Sequence, residues 1–186
     1  MKQFFEALDE QVALLTRARE ALCAPMERAA ELCRVSLLRS GKLLACGNGG
    51  SAALAQHFVA ELLGRYEDGR APLPAIALHA DAPTTTAIAN DFGFEHLFAR
   101  QIEALGRPGD VLVALSTSGS SPNVVRAAAS AKKMGLAVVA FTGRGGGALS
   151  DLADALVMVP SDRVPRVQEV HELCLHALAH ALEVRG

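Results

Sequence analysis

The chain has 186 residues, 51% of them hydrophobic and 20% charged, a balance that suits one globular domain with a real core and excludes a disordered chain. A formal net charge of −2 and an aromatic content of 4%, with no tryptophan, argue against a broad nucleic-acid face and against base-stacking platforms. No apolar run approaches the roughly 20 residues of a membrane span, and the amphipathic, acid-bearing start MKQFFEALDEQVALL is unlike a signal peptide, so a cytoplasmic protein is expected.

Residues 1–40 predict two helices, a hairpin divided near Ala24-Pro25. Apolar spacings run through Phe4, Leu8, Val12 and Leu15, then Met26, Ala29, Ala30 and Leu37. Pro25 suits the first turn of the second helix. Two helices outside a sheet need a surface for their apolar faces, which marks the pair as a candidate oligomer arm.

From residue 42 the rhythm changes. Short apolar runs stand at KLLAC (42–46), PAIAL (74–78), DVLVALS (110–116), LAVVAFT (136–142) and DALVMVP (154–160). Helical stretches lie near 51–65, 83–104, 121–134 and 165–184. Continuous rather than alternating apolar strands, separated by helices, predict a parallel sheet covered on both faces. The expectation is an α/β three-layer sandwich of about five strands over residues 41–186, forming a single domain with the helical pair of 1–40. The Gly145-Gly146-Gly147 run reads as a strand-to-helix turn. Cys23, Cys33, Cys46 and Cys174 show no Cys-x-x-Cys pairing and read as reduced, mostly buried thiols.

Ligands of parallel α/β sheets bind beyond the carboxyl ends of the strands. Two loops there are rich in small polar residues: Gly47-Asn48-Gly49-Gly50-Ser51 after the first strand, and Ser116-Thr117-Ser118-Gly119-Ser120-Ser121-Pro122 after the third. Each leads into a helix whose first N–H groups favour an anion, and the second offers five hydroxyls that can donate to phosphate oxygens without a lysine. Ser, Thr and Gly also make ordinary turns and N-caps, so the pairing of the two loops matters more than either alone. GNGGSA lacks the last glycine of a Gly-x-Gly-x-x-Gly motif and no Gly-Lys-Ser/Thr occurs, which disfavours a nucleotide loop.

His57 and Glu61, spaced i, i+4, share one helical face. A helix-stabilising surface pair and a metal half-site or acid/base pair both fit that spacing, because imidazole and carboxylate both suit zinc. The last helix, RVQEVHELCLHALAHALEV, carries Gln168, Glu169, His171, Glu172, His176 and His180. Position alone does not choose among its three histidines.

Together these stretches resemble the sugar isomerase (SIS) domain and, within it, the phosphoheptose isomerase family. The resemblance is carried by CGNGGSAALAQHFVAELLGRY (46–66), AIANDFGFEHLFARQIEALGRPGDVLVALSTSGSS (87–121) and RVQEVHELCLHAL (166–178), in order and over nearly the whole chain. It implies a flavodoxin-like, five-stranded parallel sheet and the interconversion of sedoheptulose 7-phosphate and D-glycero-D-manno-heptose 7-phosphate, on the way to activated heptoses for lipopolysaccharide. It also implies a homotetramer with interfacial sites and one Zn2+ per subunit. The family's metal positions fall on His57, Glu61, Gln168 and His176, and its acid/base pair on Glu61 and His176. Its substrate binders fall on Asn48, Ser51, Asp91, Ser116, Thr117, Ser118 and Ser121, with Gln168 counted among them too. Pro165 stands where certain members carry an acidic residue.

One geometric demand accompanies that set. On an intact helix the Cα atoms of Gln168 and His176 stand about 12 Å apart, whereas zinc ligands place donor atoms about 2 Å from the ion. Ligands drawn from different subunits are the preferred solution. The alternative reading is a non-catalytic SIS-domain adaptor that binds the bacterial replication initiator protein, which PAIALHADAPTTTAIAND partly resembles. A sugar-phosphate-sensing regulatory module is a third class, but the first 40 residues are too few for a DNA-binding domain.

Overall fold

Each of the five apolar runs becomes a strand: β1 (Leu43–Cys46), β2 (Ala75–Ala77), β3 (Val111–Ser116), β4 (Ala137–Thr142) and β5 (Ala155–Met158). The structure is a computed structural model describing residues 1–67 and 69–183. All neighbouring strands pair parallel, in the order β2-β1-β3-β4-β5. This is the flavodoxin-like order, in which the chain reverses its direction of travel across the sheet between β1 and β3. Register places Cys46 beside Ala114 and carries β3 on to Ser116, so the loops that follow β1 and β3 are neighbours.

Successive strand residues point to opposite faces. Leu43, Ala45, Val111, Val113, Leu115, Val139 and Phe141 join one core with residues of α1 (Lys2–Leu38), α2 (Gly50–Leu63) and α6 (Val164–Glu183). Leu44, Cys46, Leu112, Ala114, Val138 and Ala140 join the other, against α4 (Leu97–Leu105) and α5 (Pro122–Lys133). α3 (Ala82–Phe92) buries no residue and lies over the β2 side. The helix expected over 83–104 is thus broken: Gly93 takes φ +92 and a 3-10 turn, Phe94–His96, intervenes before α4.

The N-terminal hairpin is corrected to one continuous helix, α1, with Pro25 inside it. Proline in a helix interior removes one hydrogen bond, at a cost of about 3 kcal/mol. The burial of Leu14, Ala18 and Leu22 before it and of Ala29, Ala30 and Cys33 after it keeps both halves on the same support, the sheet and α6. Turning back at Pro25 would unseat one half. Phe4, Phe5, Leu8 and Val12 remain exposed on this helix.

Cys33, Cys46 and Cys174 are buried and free, whereas Cys23 is exposed. Burial pushes the Cys33 thiol up to about 12 and Cys174 up to about 11, and raises Cys46 as well. Cys46, although it adjoins the glycine loop, is therefore held as an inert thiol.

His171 lies wholly inside, its Nε2 donating to the Thr142 carbonyl at 3.1 Å and its ring set edge-on to Phe141. Burial lowers its pKa from 6.5 to about 4, against the opposing effect of the Thr142 hydrogen bond. The unfolded chain therefore takes up this proton first as pH falls. The stability that neutral His171 preserves is present above about pH 6.5 and is lost progressively toward pH 4, by about 3 kcal/mol. Urea unfolding across that range, with a chelator present, should show the decline. A His171→Asn variant should show less of it, and an equal slope in both proteins would remove His171 as the cause.

Candidate active site

Two clusters of functional side chains form, one at the carboxyl ends of β1 and β3 and the other between α2 and α6. In the first, the Ser116 hydroxyl lies 3.0 Å from the Ser121 hydroxyl and 3.4 Å from that of Ser118, while the Ser118 oxygen accepts from the Ser120 N–H at 3.2 Å. Thr117 contributes its carbonyl to the Gly143 N–H at 2.9 Å. The serine-rich loop thus turns its hydroxyls on one another at the start of α5, where unpaired helix N–H groups favour an anion.

Backbone packing holds this loop. Gly119 takes φ +65, and a Cβ there would stand 1.9 Å from the Gly146 carbonyl oxygen. Gly147, at φ +57, approaches Gly119 and Ser120 in return, and the Leu149 N–H donates to the Gly119 carbonyl at 3.0 Å. The glycine run 145–147 is accordingly a buttress for the serine loop, passing into a short 3-10 helix, Gly147–Leu149.

Asn48 meets Asn123 in a reciprocal carboxamide pair, each Nδ2 donating to the other's Oδ1 at 2.9 and 2.8 Å. The pair joins the glycine loop to the first turn of α5. Asn48, Ser121, Asn123 and Arg126 line a crevice of about 470 Å³ between the two loops. Asn123, 2% exposed, does not stand out in the sequence, because a polar residue at a helix start carries no distinguishing signal. Ser51 is buried in the first turn of α2. Asp91 lies elsewhere in this chain, in a cleft of about 820 Å³ beside β2 with Gln56, Phe92 and Arg100.

The second cluster brings His57, Glu61 and His176 together. Nε2 of His57 lies 2.8 Å from Nε2 of His176 and 3.4 Å from Oε1 of Glu61. Tyr66 stacks against His176, ring centroids 5.5 Å apart. A buried carboxylate holds Tyr66 there: Glu183 accepts its backbone N–H at 2.9 Å and pairs with Arg70. Arg70 in turn donates to the Glu61 and Leu62 carbonyls at the end of α2.

α6 runs unbroken from Val164 to Glu183, so Gln168 stays about 12 Å from His176 along it. The Gln168 carboxamide lies instead against the glycine loop, its atoms 2.6–2.9 Å from where a Gly50 Cβ would be. Of the three histidines on α6, His171 belongs to the core and His180 pairs with Glu67, which leaves His176 at the site. Three of the four residues expected to share a metal thus meet within one chain, without a second subunit.

The donors fit a borderline cation such as zinc. One ring nitrogen each from His57 and His176 and a carboxylate oxygen of Glu172 lie within 4.8 Å of one another, and imidazole with carboxylate is a common zinc set. In the sequence Glu172 is only one polar residue among several on its helix.

The family model for the SIS domain matches residues 6–143. The chain is 51% identical over 177 residues to a phosphoheptose isomerase of Bordetella avium, covering 94% of this chain and 90% of that protein. It is 49% identical over 185 residues to one from an Azoarcus species, covering 98% and 92%. Among solved structures, a phosphoheptose isomerase of Neisseria gonorrhoeae matches with a TM-score of 0.93 at 43% identity, over 98% of this chain and 97% of that one. One from Francisella tularensis matches with a TM-score of 0.94 at 38% identity, over 97% and 96%.

Proposed function

The chain belongs to the phosphoheptose isomerase family of SIS domains and is a sedoheptulose 7-phosphate isomerase; from that premise we propose how its residues divide the work. The observation that carries the proposal is the meeting of Glu61 with the His57–His176 imidazole pair. From Gly50 to His57 is two turns of α2, about 10 Å, a span that suits a seven-carbon chain with its phosphate at one end and its carbonyl at the other.

Ser116, Thr117, Ser118 and Ser121, with the N-terminus of α5, bind the phosphate. Asn48, Ser51 and Gln168, around the glycine loop, contact the sugar, whereas Asp91, in the separate cleft beside β2, would meet it only from another subunit. Glu61 removes a proton from C1 of the ketose and delivers it to C2 through an enediol, while O2 gains a proton and O1 loses one. His176 carries the proton between those two oxygens. A zinc ion at the imidazole pair, one per subunit, would polarise the carbonyl and stabilise negative charge on the enediolate.

The product is the aldose D-glycero-D-manno-heptose 7-phosphate, which we place in the cytoplasmic supply of activated heptoses for lipopolysaccharide. The exposed Phe4, Phe5, Leu8 and Val12 of α1 and the apolar groove formed by Leu15, Leu22, Met26, Leu173 and Ala177 between α1 and α6 support a homotetramer. A solution mass of one 19.5 kDa chain would overturn that assembly.

Incubation with sedoheptulose 7-phosphate should yield the aldose, with hydrogen exchange at C1 and C2 in deuterated water. Dialysis against a chelator should lower the rate and zinc should restore it. No turnover under any of these conditions would sink the isomerase reading; a rate indifferent to metal would remove zinc alone.

A further inference from the structure

We propose that Arg126, on the second turn of α5, is the cation that meets the phosphate of the substrate. The inference rests on the serine loop as the phosphate site and adds to it a charge that the loop does not contain.

Residues 116–121 supply hydroxyls and helix N–H groups but no full positive charge. A phosphate monoester carries about −1.5 to −2 charges at pH 7, whereas a helix N-terminus offers the equivalent of about half a positive charge. Charge is left over on the ester unless a side chain from outside the loop approaches. The crevice of about 470 Å³ between the two loops brings one. Among the described residues that line it, Arg126 alone is a cation, and it shares the crevice with Ser121 and Asn48.

Helix geometry aims this side chain at the loop. Arg126 stands i+4 from Pro122 and i+3 from Asn123, so it shares a face with them, and both line the crevice. Side chains of a helix lean toward its N-terminus, which in α5 is the Ser121 end. From Ser121 to Arg126 the axis rises about 7.5 Å, a gap that an extended arginine spans in large part. The backbone beneath is fixed, because Asn123 and Val124 are buried and Asn123 is paired with Asn48.

The guanidinium is also uncommitted. Arg70, Arg163 and Arg166 are each engaged on a carboxylate, whereas Arg126 has no hydrogen-bond or ion-pair partner among the described residues. Glu95 lines the same crevice, but its carboxylate is turned on the backbone of Gly93, 2.8 Å from where a Cβ would stand there. It also lies 4.0 Å from His96. An unpaired arginine beside hydroxyls suits a bidentate contact to phosphate oxygens. Glu95 faces the same anion with the opposite sign, so the two residues act on its binding in opposite directions.

Steady-state kinetics of the full-length protein separate this from a surface arginine. Arg126→Ala should raise KM for sedoheptulose 7-phosphate about 10-fold, the worth of one charge-assisted hydrogen bond. A constant kcat would accompany it, because the contact is equal in ground and transition states. The KM of the parent should climb with ionic strength more steeply than that of the variant, because salt screens a charge pair. Arg126→Lys should recover most of the loss, and Glu95→Gln should lower KM. Lys133→Ala removes an equal charge from the far end of α5 and should leave KM as in the parent. Because Arg126 is exposed, its variants should melt with the parent.

A parent-like KM in Arg126→Ala, an equal rise in Lys133→Ala, or a rise in Glu95→Gln would overturn the assignment. The thermal midpoint under rising inorganic phosphate reads the same contact without chemistry. Arg126→Ala should need about 10-fold more phosphate for the same upward shift, and equal titrations would overturn the assignment too. If the parent responds to phosphate yet turns over no substrate, the isomerase reading falls while the Arg126 assignment stands. A phosphate response unchanged in Ser121→Ala and Ser118→Ala would instead remove the serine loop as the phosphate site.

Discussion

Glu61→Gln is expected to lower kcat for sedoheptulose 7-phosphate by about 10²–10⁴-fold, the usual worth of a positioned acid or base. The substitution keeps the shape and polarity of the side chain and removes only its capacity to take up a carbon-bound proton. The ties that set the end of α2 pass through the backbone carbonyl of residue 61, which accepts from Arg70 at 2.8 Å, and these survive the change. KM should move little, because the proposed phosphate contacts, Ser116, Ser118 and Ser121, stand on a different loop. A fall in kcat and kcat/KM together, with KM constant, is the mark of a group that acts only in the transition state. Steady-state kinetics paired with a thermal melt distinguish this from damage to the fold. A variant that retains kcat would leave the isomerase without its proposed base.

The second large effect falls on the fold beneath the phosphate. Gly119→Ala should destabilise the protein by about 3–5 kcal/mol, combining left-handed backbone strain with an overpacked contact. Its Cβ would stand 1.9 Å from the carbonyl oxygen of Gly146 and 2.4 Å from that carbonyl's carbon. Both neighbours are backbone, so relief requires the serine loop to part from the 143–147 loop. That would break the hydrogen bond from the Leu149 N–H to the Gly119 carbonyl. Whatever protein folds should bind sugar phosphate poorly. Gly145→Ala supplies the comparison: φ is +87, yet nothing lies within 4 Å of its Cβ, so only the strain of about 1–2 kcal/mol applies. Equal losses of denaturant midpoint in the two variants would show that the close approach at Gly119 carries no special weight.

Much of this arrangement is legible in the sequence, for reasons that differ between elements. Strands buried on both faces announce themselves as unbroken apolar runs, and β1, β3 and β4 lie within a residue or so of their expected bounds. Pro25 misleads because its penalty is local while its compensation, an apolar face continued across it onto the sheet and α6, is tertiary. The break at Gly93 is hidden in turn by apolar residues on either side that keep a helical rhythm. For the site, helix arithmetic alone shows that Gln168 and His176 of one chain stand about 12 Å apart on a regular helix, which makes a shared ion demanding. What it cannot show is where the Gln168 side chain goes. That depends on α2 and α6 lying side by side, with Gly50 near Gln168 and His57 near His176. Asn123 is equally hidden, because its significance lies in a partner 75 positions away.

The carboxamide pair between Asn48 and Asn123 has a thermodynamic consequence. It bridges the two loops at the point where the sheet changes direction, so neither can swing outward without giving up both hydrogen bonds. The entropy of ordering the crevice is then met when the chain folds, and the proposed phosphate ester would enter a shape that already exists. Association of a small anion at this end should therefore show the modest heat-capacity change of a preformed pocket, unlike the large one that accompanies a segment folding around its ligand.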